Sequence, residues 1–200
     1  ALILIPEGAI AGGKLVQTRI VGAKVLEVRG SFDQALQAAL ELAERGTHVL
    51  VNSLNPFRIE GQKTAVYEIV EELGGAPDAF VIPYGGGGNS TAYAKGIKEL
   101  GLATPLHSVE AIDRPRTVAS AIRIAEPVHR HEVEAAKAHV HSVTDEEILV
   151  AWLQLAREEG LYCEPSSAAG LAWLARAPEL KGARVVATIT GHGLKDPAIA

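Results

Sequence analysis

The sequence predicts an α/β fold, a mostly parallel sheet with helices on both faces. Two observations carry the prediction. Short apolar runs suited to buried strands alternate with longer runs whose apolar residues recur at helical spacing. Three polar or glycine-rich turns, 52–58, 85–89 and 190–193, each follow a strand-like run. In such sheets ligands sit at the carboxyl ends of the strands, so the three turns are expected along one edge.

Taken in order, residues 1–5 and 24–28 predict strands, the first ending at Pro6. Ser31 and Gln34 form a capping-box pair that opens a helix. Phe32, Leu36, Ala39, Leu40 and Ala43 line it, and Gly46 closes it. Residues 48–51 predict a short apolar strand, followed by the polar turn 52–58 and a helix carrying Val66, Ile69, Val70 and Leu73. A buried strand is expected over 78–83 and a helix over 90–100, stopped by Gly101. Residues 102–116, with two prolines, read as irregular, and 117–124 suit either helix or strand. Thr144 and Glu147 form a second capping box, for a helix with Ile148, Leu149, Trp152, Leu153 and Ala156 that ends at Gly160. A helix over 167–175 and a strand over 184–189 complete the pattern.

Composition narrows the class. Two hundred residues suit one large domain or parts of two. A hydrophobic fraction of 48% with 22% charged residues is ordinary for a globular protein. The net charge of −5 argues against a nucleic-acid or anionic-membrane partner. No apolar run approaches the roughly 18 residues of a membrane span, and the opening residues lack the basic flank of a signal peptide. A single cysteine, Cys163, cannot form an internal disulfide and fits a reducing cytoplasm. The sequence holds no methionine and opens directly on a strand pattern, so either an N-terminal part precedes it or its methionines were lost or replaced.

The chemistry starts at the glycine run. Gly85, Gly86, Gly87, Gly88 and Asn89 lie between a strand and a helix. Glycines let several backbone N–H groups turn toward one point, and the helix N-terminus adds partial positive charge there. The alternative, a flexible surface turn, is disfavoured by the entropic cost of four consecutive glycines. Asn52, Ser53 and Arg58 combine neutral hydrogen-bonding groups with a guanidinium, whose planar fork pairs with phosphate or carboxylate. A capped turn with a surface arginine is the plainer reading. Two such cradles suit two anionic groups, such as a cofactor phosphate and a charged substrate.

Other polar residues are open to simpler roles. Thr190 presents its hydroxyl at a tight bend or satisfies a turn, and Ser166 or Ser167 suits a helix N-cap. His129 and His131, like His139 and His141, alternate as they would on one face of a strand. The cysteine lies elsewhere and no His-Glu-x-x-His spacing occurs, so solvated histidines are expected rather than a metal site. His192 suits a general base or a turn residue. The chain has no glycine–x–serine–x–glycine elbow to support a hydrolase triad.

Residues 52–64, reading Asn-Ser-Leu-Asn-Pro-Phe-Arg-Ile-Glu-Gly-Gln-Lys-Thr, closely resemble a motif of the threonine synthases. These are fold-type II pyridoxal-phosphate enzymes with a tryptophan synthase β-like fold. Residues 83–89, 117–124, 162–169 and 190–197 resemble further motifs in the expected order. The resemblance implies conversion of O-phospho-L-homoserine and water to L-threonine and phosphate, with pyridoxal 5'-phosphate as electron sink. Carried over by matching position, Gly85, Gly86, Gly87, Gly88 and Asn89 hold the cofactor phosphate through backbone amides. Thr190 hydrogen-bonds the pyridine nitrogen, and Asn52, Ser53 and Arg58 bind the substrate phosphate. The resemblance also implies a cytoplasmic homodimer, with residues 1–51 from a small domain and 52–200 from a large cofactor-binding domain.

The departures are specific. The family's cofactor-bearing lysine lies in a Ser-Phe-Lys-Asp-like segment, preceding a Ser-Gly-Asn-Thr loop, and this sequence contains neither. Lys14, Lys63 and Lys195 lie in other motifs, so no catalytic residue is assigned and the chain is expected to be the later part of a longer enzyme. The stretches near 102–105 and 138–141 read as shorter than in the family. Gly86 and Gly87 stand where threonine synthases usually carry asparagine and alanine, and Ala125 and Glu126 replace a glycine and a polar residue. An all-glycine loop is commoner in the related threonine and serine dehydratases. Two rival readings follow: such a dehydratase, or a truncated paralogue that binds an anion without chemistry.

Overall fold

The structure, a computed structural model, describes residues 1–7, 12–30 and 32–195. The chain divides into two compact units, one of Ala1–Asn52 with the stretch from Leu194, the other of Ser53–Gly193.

In the first unit, β1 (Leu2–Pro6) and β2 (Lys24–Val28) pair in parallel, Leu2 opposite Lys24. A parallel pair needs a crossover, usually a helix, and α1 (Gly12–Ile20) supplies one that was not among the expected elements. Helix α2 (Phe32–Glu44) packs on β1, with Ile5 and Ala35 buried. Ser31 of the expected capping box lies outside the described residues. The strand expected over 48–51 does not form, and Val49 and Val51 are 82% and 74% exposed. A strand needs a neighbour for its backbone groups, and no described strand pairs with this stretch.

The second unit is built on four parallel strands in the order β5-β4-β3-β6: β3 (Ala79–Pro83), β4 (Leu106–Ala111), β5 (His139–Val143) and β6 (Val185–Ala187). Central β3 is buried along its whole length, which explains its unbroken apolar run. Successive side chains alternate between faces. Phe80 and Ile82 pack with Val66, Tyr93 and Ile97 on one side, where α4 (Thr64–Leu73) and α5 (Gly88–Glu99) lie. Val81 packs with Val109, Ile148, Trp152 and Trp173 on the other, under α7 (Asp145–Glu158) and α8 (Ala169–Leu174). Helices thus cover both faces.

Strand β4 corrects the irregular reading of 102–116. His107, Ser108 and Glu110 break its apolar pattern, yet each has a partner: His141, Ser90 and Arg114. Helix α3 (Pro56–Gln62) begins inside the expected polar turn, because Asn55 Oδ1 accepts from the Phe57 N–H at 2.9 Å and Pro56 takes the first helical position. Arg58 therefore sits on a helix. Residues 117–124 form neither helix nor strand beyond a 3₁₀ turn at Ser120–Ile122. The helix expected over 167–175 is a 3₁₀ turn, Pro165–Ala168, followed by α8. The second capping box closes as expected. Thr144 Oγ1 accepts from the Glu147 N–H at 3.2 Å and Glu147 Oε2 from the Thr144 N–H at 2.7 Å.

The histidines of β4 and β5 are not solvated as a set. His107 and His141 stack on Trp173 with ring centroids 4.6 and 4.0 Å away, and His107 Nδ1 shares a proton with His141 Nε2 across 2.9 Å. Burial, then the neighbouring His141 and His139, pushes His107 down to about 4, against an opposing pull from Glu179. His141 is also lowered, by burial, His139 and Arg176, with Glu179 again opposing. The unfolded chain takes up a proton at His107 near pH ~6.5. Stability held above that pH is therefore lost as pH falls toward about 4. We expect urea titrations to show roughly 1–3 kcal/mol lost through this group between pH 7 and 4.5. The His107→Phe variant should flatten that dependence, and an unchanged slope would refute the assignment.

Candidate functional site

The loop after β3 is shaped by what its carbonyls touch. Gly85 O accepts from Arg114 Nη1 at 3.1 Å, Gly86 O from the His129 N–H at 2.9 Å and Gly87 O from the Thr91 N–H at 2.9 Å. In a trans peptide the C=O and the following N–H point to opposite sides, and no described bond is cis. The N–H groups of Gly86, Gly87 and Gly88 therefore face away from these partners. No N–H from Gly85 to Ser90 finds an acceptor among the described residues. Gly87, at φ 90°, is the N-cap of α5 and no side chain caps that helix. Open amides and the positive end of α5 suit a small anion such as phosphate.

Side chains on the loop would meet its supports. A Cβ on Gly85 would lie 3.0 Å from Ala121 O, and one on Gly87 3.0 Å from His129 Cβ and 3.2 Å from the Tyr84 ring. Asn89, in the first turn of α5, is half-buried.

Two residues behind the loop were not anticipated as part of it. Arg114, 9% exposed, pairs with Glu110 through Nε at 2.8 Å and stands 4.7 Å over the Tyr84 ring. Its Nη1 donates to Gly85 O and, at 3.0 Å, to Ile124 O. His129, expected in solvent, is 7% exposed. Its Nε2 donates to the Ser53 carbonyl at 2.6 Å, which brings Ser53 to the glycine loop. His131, on the short helix α6 (Arg130–Ala135), does lie in solvent. Neither buried residue announces itself as a support of the loop, because Gly85 O and Ser53 O lie 29 and 76 residues from the side chains that hold them.

The turn after β6 lies at the same carboxyl edge, since β6 runs beside β3 in parallel. The Thr188 N–H donates to Val81 O at 2.9 Å, and its hydroxyl meets Tyr93 Oη of α5 at 3.0 Å. Ser167 Oγ accepts from the N–H groups of Thr190 and Gly191 at 3.1 and 2.9 Å, and lies 3.0 Å from the exposed Thr190 hydroxyl. Ser166 Oγ accepts from the Ala121 N–H at 3.0 Å. Neither serine is an N-cap. Glu164 holds that position, and both serines tie down loops instead. His192 forms an isolated bridge with Cys163, and its ring stands nearly perpendicular to that of Tyr162 at 5.9 Å. Arg58 is exposed on the first turn of α3, which packs against α5. Asn52 is half-buried and belongs to the first unit.

Residues 1–191 match the family described as pyridoxal-phosphate dependent enzyme. The chain belongs to that family. It is 46% identical over 220 residues to the threonine synthase of Halalkalibacterium halodurans, covering 98% of this chain and 62% of that protein. The threonine synthase of a Bacillus species is likewise 46% identical, over all of this chain and 63% of its own length. The chain thus spans about three-fifths of these relatives. Maize serine racemase superposes with a TM-score of 0.83 at 20% identity, over 100% of this chain and 67% of that one, and so shares the fold. The family's cofactor carries a phosphate group, and the amides of the glycine loop fit it. Among the described residues they are donors without acceptors, gathered at a helix N-terminus.

Proposed function

We propose that this chain is part of a threonine synthase, acting on O-phospho-L-homoserine and water to give L-threonine and phosphate. The observation that carries the reading is the 46% identity to a threonine synthase over 98% of the chain. Pyridoxal phosphate, when bound, supplies a ring that draws electrons from the substrate's carbon chain. Gly85, Gly86, Gly87, Gly88 and Asn89 hold its phosphate through backbone N–H groups. Thr190 offers its hydroxyl to the pyridine nitrogen. A neutral partner there leaves the nitrogen largely unprotonated, and Ser167 fixes the bend that presents it. Ser53, Arg58 and Asn52 bind the substrate phosphate. The bond from His129 to Ser53 supports placing the substrate phosphate beside the cofactor's.

We further infer a small domain over 1–51 and a large cofactor-binding domain over 52–200. The division of the chain next to Ser53 supports that boundary, although the stretch from Leu194 groups with the first unit. A cytoplasmic homodimer is inferred from the resemblance to threonine synthases, and the single buried cysteine supports the reducing compartment. Among the described residues no helix is long and apolar enough to cross a membrane.

Arg58 separates this reading from a dehydratase, whose substrate has no phosphate. In the full-length protein, Arg58→Ala should raise KM for phosphohomoserine at least tenfold while pyridoxal-phosphate affinity changes less than twofold. Equal loss of both would overturn the substrate-phosphate role.

A further inference from the structure

We propose that Arg114 is a positioning residue for the anion cradle, gripping the outer carbonyl side of the glycine loop so that its amides stand oriented before a phosphate arrives. The inference rests on the reading of the loop as the cofactor-phosphate site. It goes beyond that reading by naming the side chain that fixes the loop's orientation.

The argument begins with a peptide plane. The carbonyl of Gly85 and the N–H of Gly86 belong to one rigid unit, so fixing the carbonyl fixes the amide. Four consecutive glycines carry no side chain that could do this, and glycine backbone is the freest of any residue. Left alone, the loop would sample many orientations, and binding an anion would have to overcome that entropy. Arg114 removes much of this freedom. Nη1 bridges Gly85 O and Ile124 O, so the same atom ties the loop to the segment running beside it. Nε and Nη2 engage the Glu110 carboxylate on β4, and Ser142 Oγ of β5 donates to Glu110 Oε1 at 3.2 Å. The guanidinium is therefore itself held by two strands of the sheet. Its place over the Tyr84 ring fixes the residue where the chain leaves β3. His129 completes the grip one peptide later, its N–H on Gly86 O and its imidazole on Ser53 O.

Lysine cannot reproduce this arrangement. An ammonium is a point charge without the planar fork that serves Glu110 and two carbonyls at once. Arg114→Lys keeps the charge beside Glu110 while releasing the carbonyl grip.

The test compares pyridoxal 5'-phosphate with phosphate-free pyridoxal as ligands of the full-length apoprotein, followed by absorbance. The ratio of the two affinities isolates the phosphate's share. The parent should favour the phosphorylated form strongly, and no preference in the parent would remove the cradle reading itself. With that preference present, Arg114→Lys should lower the ratio about tenfold, with pyridoxal affinity within twofold of the parent. An unchanged ratio in Arg114→Lys, or equal loss of both ligands, overturns the proposal. Should that variant fail to fold, Arg114→Met combined with Glu110→Gln removes the same carbonyl grip without leaving a buried charge unpaired, with a ratio lowered about tenfold expected and an unchanged ratio overturning.

Discussion

Gly87→Ala is expected to weaken pyridoxal-phosphate binding by the full-length protein at least a hundredfold while the fold persists. Two costs act together at this position. The backbone stands at φ 90°, ψ −7°, and a residue with a Cβ loses about 1–2 kcal/mol in left-handed backbone. The new methyl would also lie 3.0 Å from His129 Cβ and 3.2 Å from the Tyr84 ring. Neither neighbour retreats cheaply, since both are buried, Arg114 stands over Tyr84 and Ser53 accepts from His129. The loop is the softest part and yields first, turning the Gly87 and Gly88 amides off their common target. A hundredfold change corresponds to about 2.8 kcal/mol. Titration of the apoprotein followed by absorbance measures the affinity, and urea unfolding should lose only about 1–3 kcal/mol. Affinity within threefold of the parent would show that the phosphate lies elsewhere.

Particular residues show why some of this was legible in the sequence and some was not. The glycine loop's open backbone could be read because it depends on residues without side chains, and that appears directly as composition. The buried run of β3 and the Thr144–Glu147 box were legible for the same reason, being local patterns that depend on few neighbours. Strand β4 was not, because a strand is defined by its partners. His107, Ser108 and Glu110 look like loop residues until His141, Ser90 and Arg114 are beside them. The converse holds at 48–51, where an apolar run has no strand beside it among the described residues and forms none itself. The supports of the site were hidden by distance along the chain. Arg114 reaches a carbonyl 29 residues away, and His129 one 76 residues away. Ser167 stood beside a helix start and looked like its cap, yet its hydroxyl bonds 23 and 24 residues downstream. Composition registers none of these separations.

Gly191→Ala should strike the other end of the cofactor, and by a different route. Here the obstacle is space rather than backbone strain. A Cβ would stand 2.1 Å from Glu164 Oε1 and 2.4 Å from its Cδ. Glu164 is 5% exposed, and its N–H donates to Gly191 O at 2.9 Å, so the two stretches are fastened face to face. Moving the Glu164 side chain disturbs a buried polar group, and moving the bend breaks the bonds from Gly191 and Thr190 to Ser167. Overpacking of this kind costs about 1–3 kcal/mol, and loss of a buried hydrogen bond adds about 1. We expect about 3 kcal/mol of lost stability in urea. If Thr190 faces the pyridine ring, the damage falls on the part of the ligand that pyridoxal and its phosphate share. Both affinities should then fall at least tenfold and by the same factor, leaving their ratio within threefold of the parent, whereas Gly87→Ala collapses that ratio. A Gly191→Ala protein that keeps its pyridoxal affinity would place the ring away from Thr190.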